Sequence, residues 1–178
     1  MRAAAFLFAL AAASTAAAQD TFRIFVGGAP IGTEQIAVAR TPEGWTVSGS
    51  GQIGPPLEII TRRLLIHYDA DWKPLDLVVE GTLRGQGFVI QTTVDGASAA
   101  THIANGAQVG NRTDAITADT ILLPTPFFAP FAVVAERVRN AAAGATLHAY
   151  VPGQASFDIP VGDSNAEQIQ TVNGLVVA

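Results

Sequence analysis

LEIITRRLLIHYDADWKPLDLVVEGTLRGQGFVIQTTV, residues 57–94, is the stretch on which the fold turns. Three runs rich in Leu, Ile and Val are parted by two turn signals. The first is Asp69-Ala70-Asp71 leading to Pro74, and the second is Arg84-Gly85-Gln86-Gly87. Short apolar runs bounded in this way predict a three-strand antiparallel meander. Side chains on a strand alternate between its faces. In the second run Leu75, Leu77, Val79 and Leu83 share one face, opposite Asp76, Glu80, Thr82 and Arg84. In the third, Phe88, Ile90, Thr92 and Val94 stand opposite Val89, Gln91 and Thr93. The first run is mixed on both sides. Strict alternation puts Ile59, Thr61, Arg63, Leu65, His67 and Asp69 on one face. Ile60, Arg62, Leu64, Ile66 and Tyr68 fall on the other, so Arg62 and Arg63 are split. One mostly apolar face and one mixed face predict a curved sheet wrapped around something apolar: a helix, a second sheet or a ligand.

Upstream, Thr21 to Val26 and Ile31 to Arg40 flank the turn Gly27-Gly28-Ala29-Pro30 as a hairpin. Thr41-Pro42-Glu43-Gly44 turns the chain into a third strand, Trp45 to Ile53. Downstream, Asp95-Gly96 and Asn105-Gly106 mark turns around strands at 98–104 and 107–113. This regular, short spacing argues for an all-β meander and against βαβ units. Thr120 to Leu123 is a brief apolar run stopped by Pro124 and Pro126. One helix is expected over 131–143. Phe131, Val134, Ala135, Val138 and Ala142 recur at helical spacing, with Glu136, Arg137, Arg139 and Asn140 elsewhere. Pro130 suits its first turn and Gly144 its end. This helix is a candidate for the object that the sheet wraps. Strands follow at 146–151, 156–161 and 167–172. Asn173-Gly174 then leads into apolar Leu175-Val176-Val177, as if entering another strand, so the parent protein is expected to continue past Ala178. The expected fold class is mainly β: a curved antiparallel meander or half-barrel with one helix near 131–143.

Composition narrows the function. The 178 residues suit one domain, and 49% apolar against 14% charged residues supports a core and excludes disorder. Net charge is −5, with Lys73 the one lysine, so nucleic acid is not an expected partner. Having no cysteine, the chain has no disulfide framework, thiolate nucleophile, cysteine zinc site or cysteine for lipid attachment. MRAAAFLFALAAASTAAAQD carries Arg2, an apolar run from Ala3 to Ala13, and small residues at Ala16 and Ala18. That pattern reads as a secretory signal peptide, 1–18, of bacterial character. It leaves 19–178 as a single β-rich domain, exported to the periplasm or secreted, with no membrane span after cleavage.

Chemistry-bearing patterns are sparse, and each has a plain structural alternative. His67 and Asp69 share a strand face and are candidate metal ligands or an acid–base pair, but the spacing supplies no third ligand. The alternative is a strand end with a turn-forming aspartate. Ser48-Gly49-Ser50-Gly51 lacks the Gly-x-Ser-x-Gly pattern and lies in a strand. No catalytic residue and no cofactor is therefore assigned, and the chain is not expected to be an enzyme by itself. Arg62 or Arg63 could meet a ligand carboxylate or phosphate, or pair with Glu58, Asp76 or Glu80. Phe127, Phe128 and Phe131 form an aromatic patch that suits either the mouth of an apolar cavity or ordinary core packing.

Three stretches carry a resemblance: FRIFVGGAPIGTEQIAVART with GWTVSGSG, ITRRLLIHYDADWKPLDLVVEGTLRGQ, and LLPTPFFAPFAVVAERV. Together they resemble the N-terminal β domain of some exported bacterial proteins, where it precedes an α/β-hydrolase module. The resemblance implies a non-catalytic accessory domain that shields, positions or presents substrate to a downstream hydrolase module. The nucleophile and its partners would then lie beyond Ala178. The expected architecture is also similar to the half-barrel of periplasmic lipoprotein carriers. That similarity implies a second function, carriage of a lipid or other apolar ligand between sheet and helix.

Overall fold

The computed structural model describes residues 18–163, together with the backbone of two strands at 168–171 and 174–177. The expected signal peptide, apart from its last residue, lies outside the described residues. Eight consecutive strands pair in chain order into one antiparallel sheet. They are β1 (Ala18–Val26), β2 (Ala29–Thr41), β3 (Gly44–Ile53), β4 (Ile59–Asp69), β5 (Pro74–Leu83), β6 (Gln86–Asp95), β7 (Ser98–Asn105) and β8 (Gln108–Ala115). The sheet does not close: β1 and β8 are its two edges. The mainly β, meandering architecture expected from residues 57–94 is what forms.

The mixed faces of β4 have a simple cause. Thr61 pairs with Gly81, but the next pair toward β5 is Arg63 with Glu80, so Arg62 is an extra residue. On the other side Gly51 pairs with Thr61 and Gly49 with Leu64, leaving Ser50 facing both arginines. A bulge of this kind shifts the alternation by one residue and adds twist. Before it, Ile59 and Thr61 point into the core; after it, Leu64, Ile66 and Tyr68 do. Arg62 and Arg63 are thus not split between faces. Both are exposed, and both border the same shallow outer groove with Ser48 and Ser50.

The concave side is filled by the chain after β8. Ile116, β9 (Ile121–Leu122), Leu123, Phe127 and Ala129 are all buried against Ile36, Val47, Ile66, Leu77 and Val79 of the sheet. The helix α1 (Phe131–Asn140) follows, then β10 (Thr146–Val151) and β11 (Ala155–Pro160). β10 pairs antiparallel with β11 and parallel with β9, through Ala149 with Ile121 and Tyr150 with Leu122. One β–α–β connection therefore exists where only a meander was expected. A two-residue strand with prolines behind it carries too short a signal to be read as part of such a unit. The last two strands, β12 (Gln168–Thr171) and β13 (Gly174–Val177), pair with each other.

The helix is shorter than expected and turned the other way. It ends at Asn140, whose Nδ2 donates to the Glu136 carbonyl at 2.9 Å. Val133 is its buried residue, whereas Phe131 is 52% and Val138 42% exposed. The rotation is set upstream. Ala129 is fully buried, and one helical step of four places Val133 inward and Arg137 beyond it. Arg137 donates to the backbone carbonyls of Trp72, at 2.9 Å, and Asp119, at 3.2 Å. The helix is thus a flank of the filled side, and the segment before it is the object that the sheet wraps. Val133→Ala should cost about 2 kcal/mol, from two lost methyl groups and the space left behind. Phe131→Ser should stay within about 0.5 kcal/mol of the parent. Urea unfolding of the two variants checks the orientation, and equal losses would mean that the helix is rotated.

Candidate functional site

An apolar cleft opens on the concave side beside the β5–β6 turn. Strand residues Ile59, Leu83, Phe88, Ile90 and Ile103 form its floor, and Pro126 with Phe127 forms its other wall. Its volume is about 150 Å³. Pairing explains why these side chains meet. Ile59 is opposite Leu83, Ile90 is opposite Ile103, and Phe88 is opposite Asn105, so each pair shares a face across neighbouring strands. Phe127 lies over Phe88 with ring centroids 6.1 Å apart. Gly81, across from Phe88, leaves room for that ring, because a Cβ there would meet both Phe88 and the Ile60 carbonyl. A wider groove of about 400 Å³ shares Ile59 with the cleft.

The wall carrying Phe127 is pinned by a buried carboxylate. Glu34 on β2 is only 3% exposed. Its Oε1 accepts the Ala129 N–H at 2.7 Å and its Oε2 the Phe128 N–H at 2.9 Å. Burial pushes its pKa above the ordinary glutamate range, and the two N–H groups oppose that shift. Gly49 makes the approach possible, since a Cβ there would press on Ala129 Cβ and Glu34 Oε1.

Of the residues singled out from the sequence, the structure brings Phe127 alone into this cleft. Phe128 and Phe131 lie outside it on the exposed side, their rings 6.2 Å apart. Arg62 and Arg63 are on the opposite face of the sheet, where Arg63 lies 4.0 Å from Glu80, both largely in solvent. An exposed pair of this kind contributes little to stability. His67 and Asp69 do not act together. His67 Nδ1 lies 2.7 Å from Asp76 Oδ1, while Asp69 Oδ1 accepts the N–H groups of Asp71 and Lys73 at 2.9 Å each. Asp69 is thereby engaged in organising its turn. Among the described residues no group of three or more His, Asp or Glu side chains gathers as a metal site would require.

Sequence reasoning placed Phe88 and Ile90 on an apolar face but did not single out Ile59, Leu83, Ile103 or Asn105 as site residues. Given the register, the alternation along β6 and β7 could have grouped Ile103 and Asn105 with Phe88 and Ile90, and the β4–β5 pairing could have added Ile59 and Leu83. Asn105 was accounted for as half of a turn signal. The turn is there, with Gly106 at a φ of +57°, and the asparagine side chain lines the cleft as well. Compared with known proteins, the chain matches no family model, no curated protein and no solved structure.

Proposed function

We propose that this chain is an exported, non-catalytic β domain that holds a small apolar ligand, or one apolar chain of a larger one, in the cleft beneath Phe127. The observation that carries the reading is the cleft itself: core-type side chains from four strands left uncovered beside a filled interior. Apolar walls with few polar groups are the usual make-up of small-molecule sites. Their volume, about 150 Å³, suits one ring or a short stretch of alkyl chain. Export rests on the leader at 1–18. In a longer protein a domain of this kind would present the bound group to a neighbouring hydrolase module, as the resemblance in the sequence implies. Freely diffusing, it would act as a carrier.

The test is native mass spectrometry of the mature chain purified from a periplasmic fraction, with solvent extraction of whatever is bound. An apolar molecule is expected to co-purify. Ile90→Trp, which fills the cleft, should abolish its retention while the protein stays folded by circular dichroism. A wild-type protein that arrives empty and takes up neither alkyl nor aromatic probes would rule the proposal out.

A further inference from the structure

We infer that Asn105 selects the ligand: the cleft takes an apolar group bearing one hydrogen-bond donor, a hydroxyl or an amide N–H, and Asn105 Oδ1 receives it. This rests on the cleft being a ligand site. Asn105 ends β7 directly opposite Phe88, so its side chain shares the concave face with the cleft floor. Its Oδ1 is buried and has no hydrogen-bond partner. Buried polar atoms are nearly always satisfied, so an orphan acceptor on a residue that lines a ligand-sized cleft calls for a donor from elsewhere.

The turn does not use this oxygen. The backbone carries the turn itself, through Asn105 paired with Gln108 and the Gly106 N–H donating to the Gly87 carbonyl at 2.9 Å. The cleft side chains that carry polar groups are Asn105 and Thr125, and the rest of the lining is apolar. An organic donor suits the site, since its remaining atoms bury against Ile90, Ile103 and Phe127. The terminal torsion of asparagine is broad, so the carboxamide oxygen turns toward an entering donor with little strain. A site that hydrogen-bonds a ligand hydroxyl discriminates against the analogue lacking it, because the acceptor is then left unpaired.

The probes are 4-ethylphenol and ethylbenzene, which differ by the hydroxyl, titrated into the mature chain. Binding is read from the methyl resonances of Ile59, Leu83, Ile90 and Ile103, and from the side-chain amide resonance of Asn105. Both probes are expected to move the methyl signals, and 4-ethylphenol alone to move the Asn105 amide. The ratio of the ethylbenzene Kd to the 4-ethylphenol Kd should fall about tenfold in Asn105→Leu, which keeps the volume and removes the acceptor. An unchanged ratio, or an Asn105 amide that ignores the phenol, overturns the assignment while leaving the cleft as a ligand site. Methyl signals that respond to neither probe overturn the cleft reading and this inference together. Should Asn105→Leu fail to fold, the wild-type amide response decides.

Discussion

Tyr150→Ala is expected to cost about 3–5 kcal/mol, a large share of the roughly 5–15 kcal/mol by which a domain of this size is stable. Tyr150 is fully buried on β10 and joins the second sheet to the last strands of the first. Its hydroxyl donates to Asp114 Oδ2 on β8 at 2.7 Å and accepts the Gly153 N–H at 2.9 Å. It also lies 3.2 Å from Thr101 Oγ1, which is 3.0 Å from Thr92 Oγ1. Removing the ring opens a cavity and takes a hydrogen-bond partner from Asp114, Thr101 and the Gly153 N–H, of which Asp114 keeps Arg112 and Thr101 keeps Thr92. Tyr150→Phe keeps the ring and isolates the polar part, at about 1–3 kcal/mol.

Loss of the hydroxyl should also show in the pH dependence of stability. The Tyr150 hydroxyl, aided by the Arg112 guanidinium at 2.6 Å, holds the Asp114 carboxyl below the ordinary aspartate range, against the opposing effect of burial. A depressed folded value means that the carboxylate adds stability above the ordinary range and loses it as pH falls through the folded value. In Tyr150→Phe this acid loss should flatten. Urea unfolding of wild type and variant between neutral pH and pH 3 measures it, and identical acid slopes would show that Asp114 draws nothing from Tyr150.

The second large effect is expected at Glu34. Glu34→Ala leaves the Phe128 and Ala129 N–H groups without their acceptor, at about 1–3 kcal/mol for each one that stays dry. The wall of the cleft then loses its anchor, so ligand retention should fall along with stability. Glu34→Gln divides the contributions. The amide oxygen still receives one N–H, while its NH2 group faces the other as a second donor. The pH dependence of Glu34 runs opposite to that of Asp114. Burial raises the folded value above the unfolded one, so the folded state binds the proton more readily. Stability from this group is therefore greatest at and below the ordinary glutamate range and is lost as pH rises through the raised value. Glu34→Gln should abolish that loss. Melting temperatures of wild type and Glu34→Gln from pH 4 to pH 8 check it: parallel curves would mean that the carboxyl titrates normally in the fold.

The meander was legible because its signals are local. Asp95-Gly96, Asn105-Gly106 and the two turns of residues 57–94 fall where the chain reverses, and the alternation gives the correct buried faces in β6 and in β5 from Leu77 onward. Leu75, expected on the same face, is 40% exposed because it is an extra residue between the pairs His67 with Asp76 and Tyr68 with Pro74. β4 was not legible in the same way. A single extra residue at Arg62 inverts the pattern halfway along, and alternation counted across it averages two faces into one mixed pair. The helix failed for another reason. Over ten residues, Phe131 with Val138 and Ala129 with Val133 are both acceptable apolar spacings. The choice between them is made by Glu34, 95 residues away from Ala129 in the chain. The cleft needs both the β6–β7 register and the position of Phe127, neither of which is a local property. Asn105 was hidden because a turn already explained it.

The bulge in β4 also bears on which insertions and deletions the gene tolerates. Loss of one codon inside a central strand usually turns every later side chain to the wrong face. Here the surplus residue is already present. Without Arg62, Thr61 would still oppose Gly81 and Arg63 would still oppose Glu80, with Ile59, Thr61, Leu64 and Ile66 in unbroken alternation. An in-frame loss at this codon is therefore a change of curvature and not of register, and the gene can pass through a one-residue length change at the centre of its main sheet with the core sequence intact.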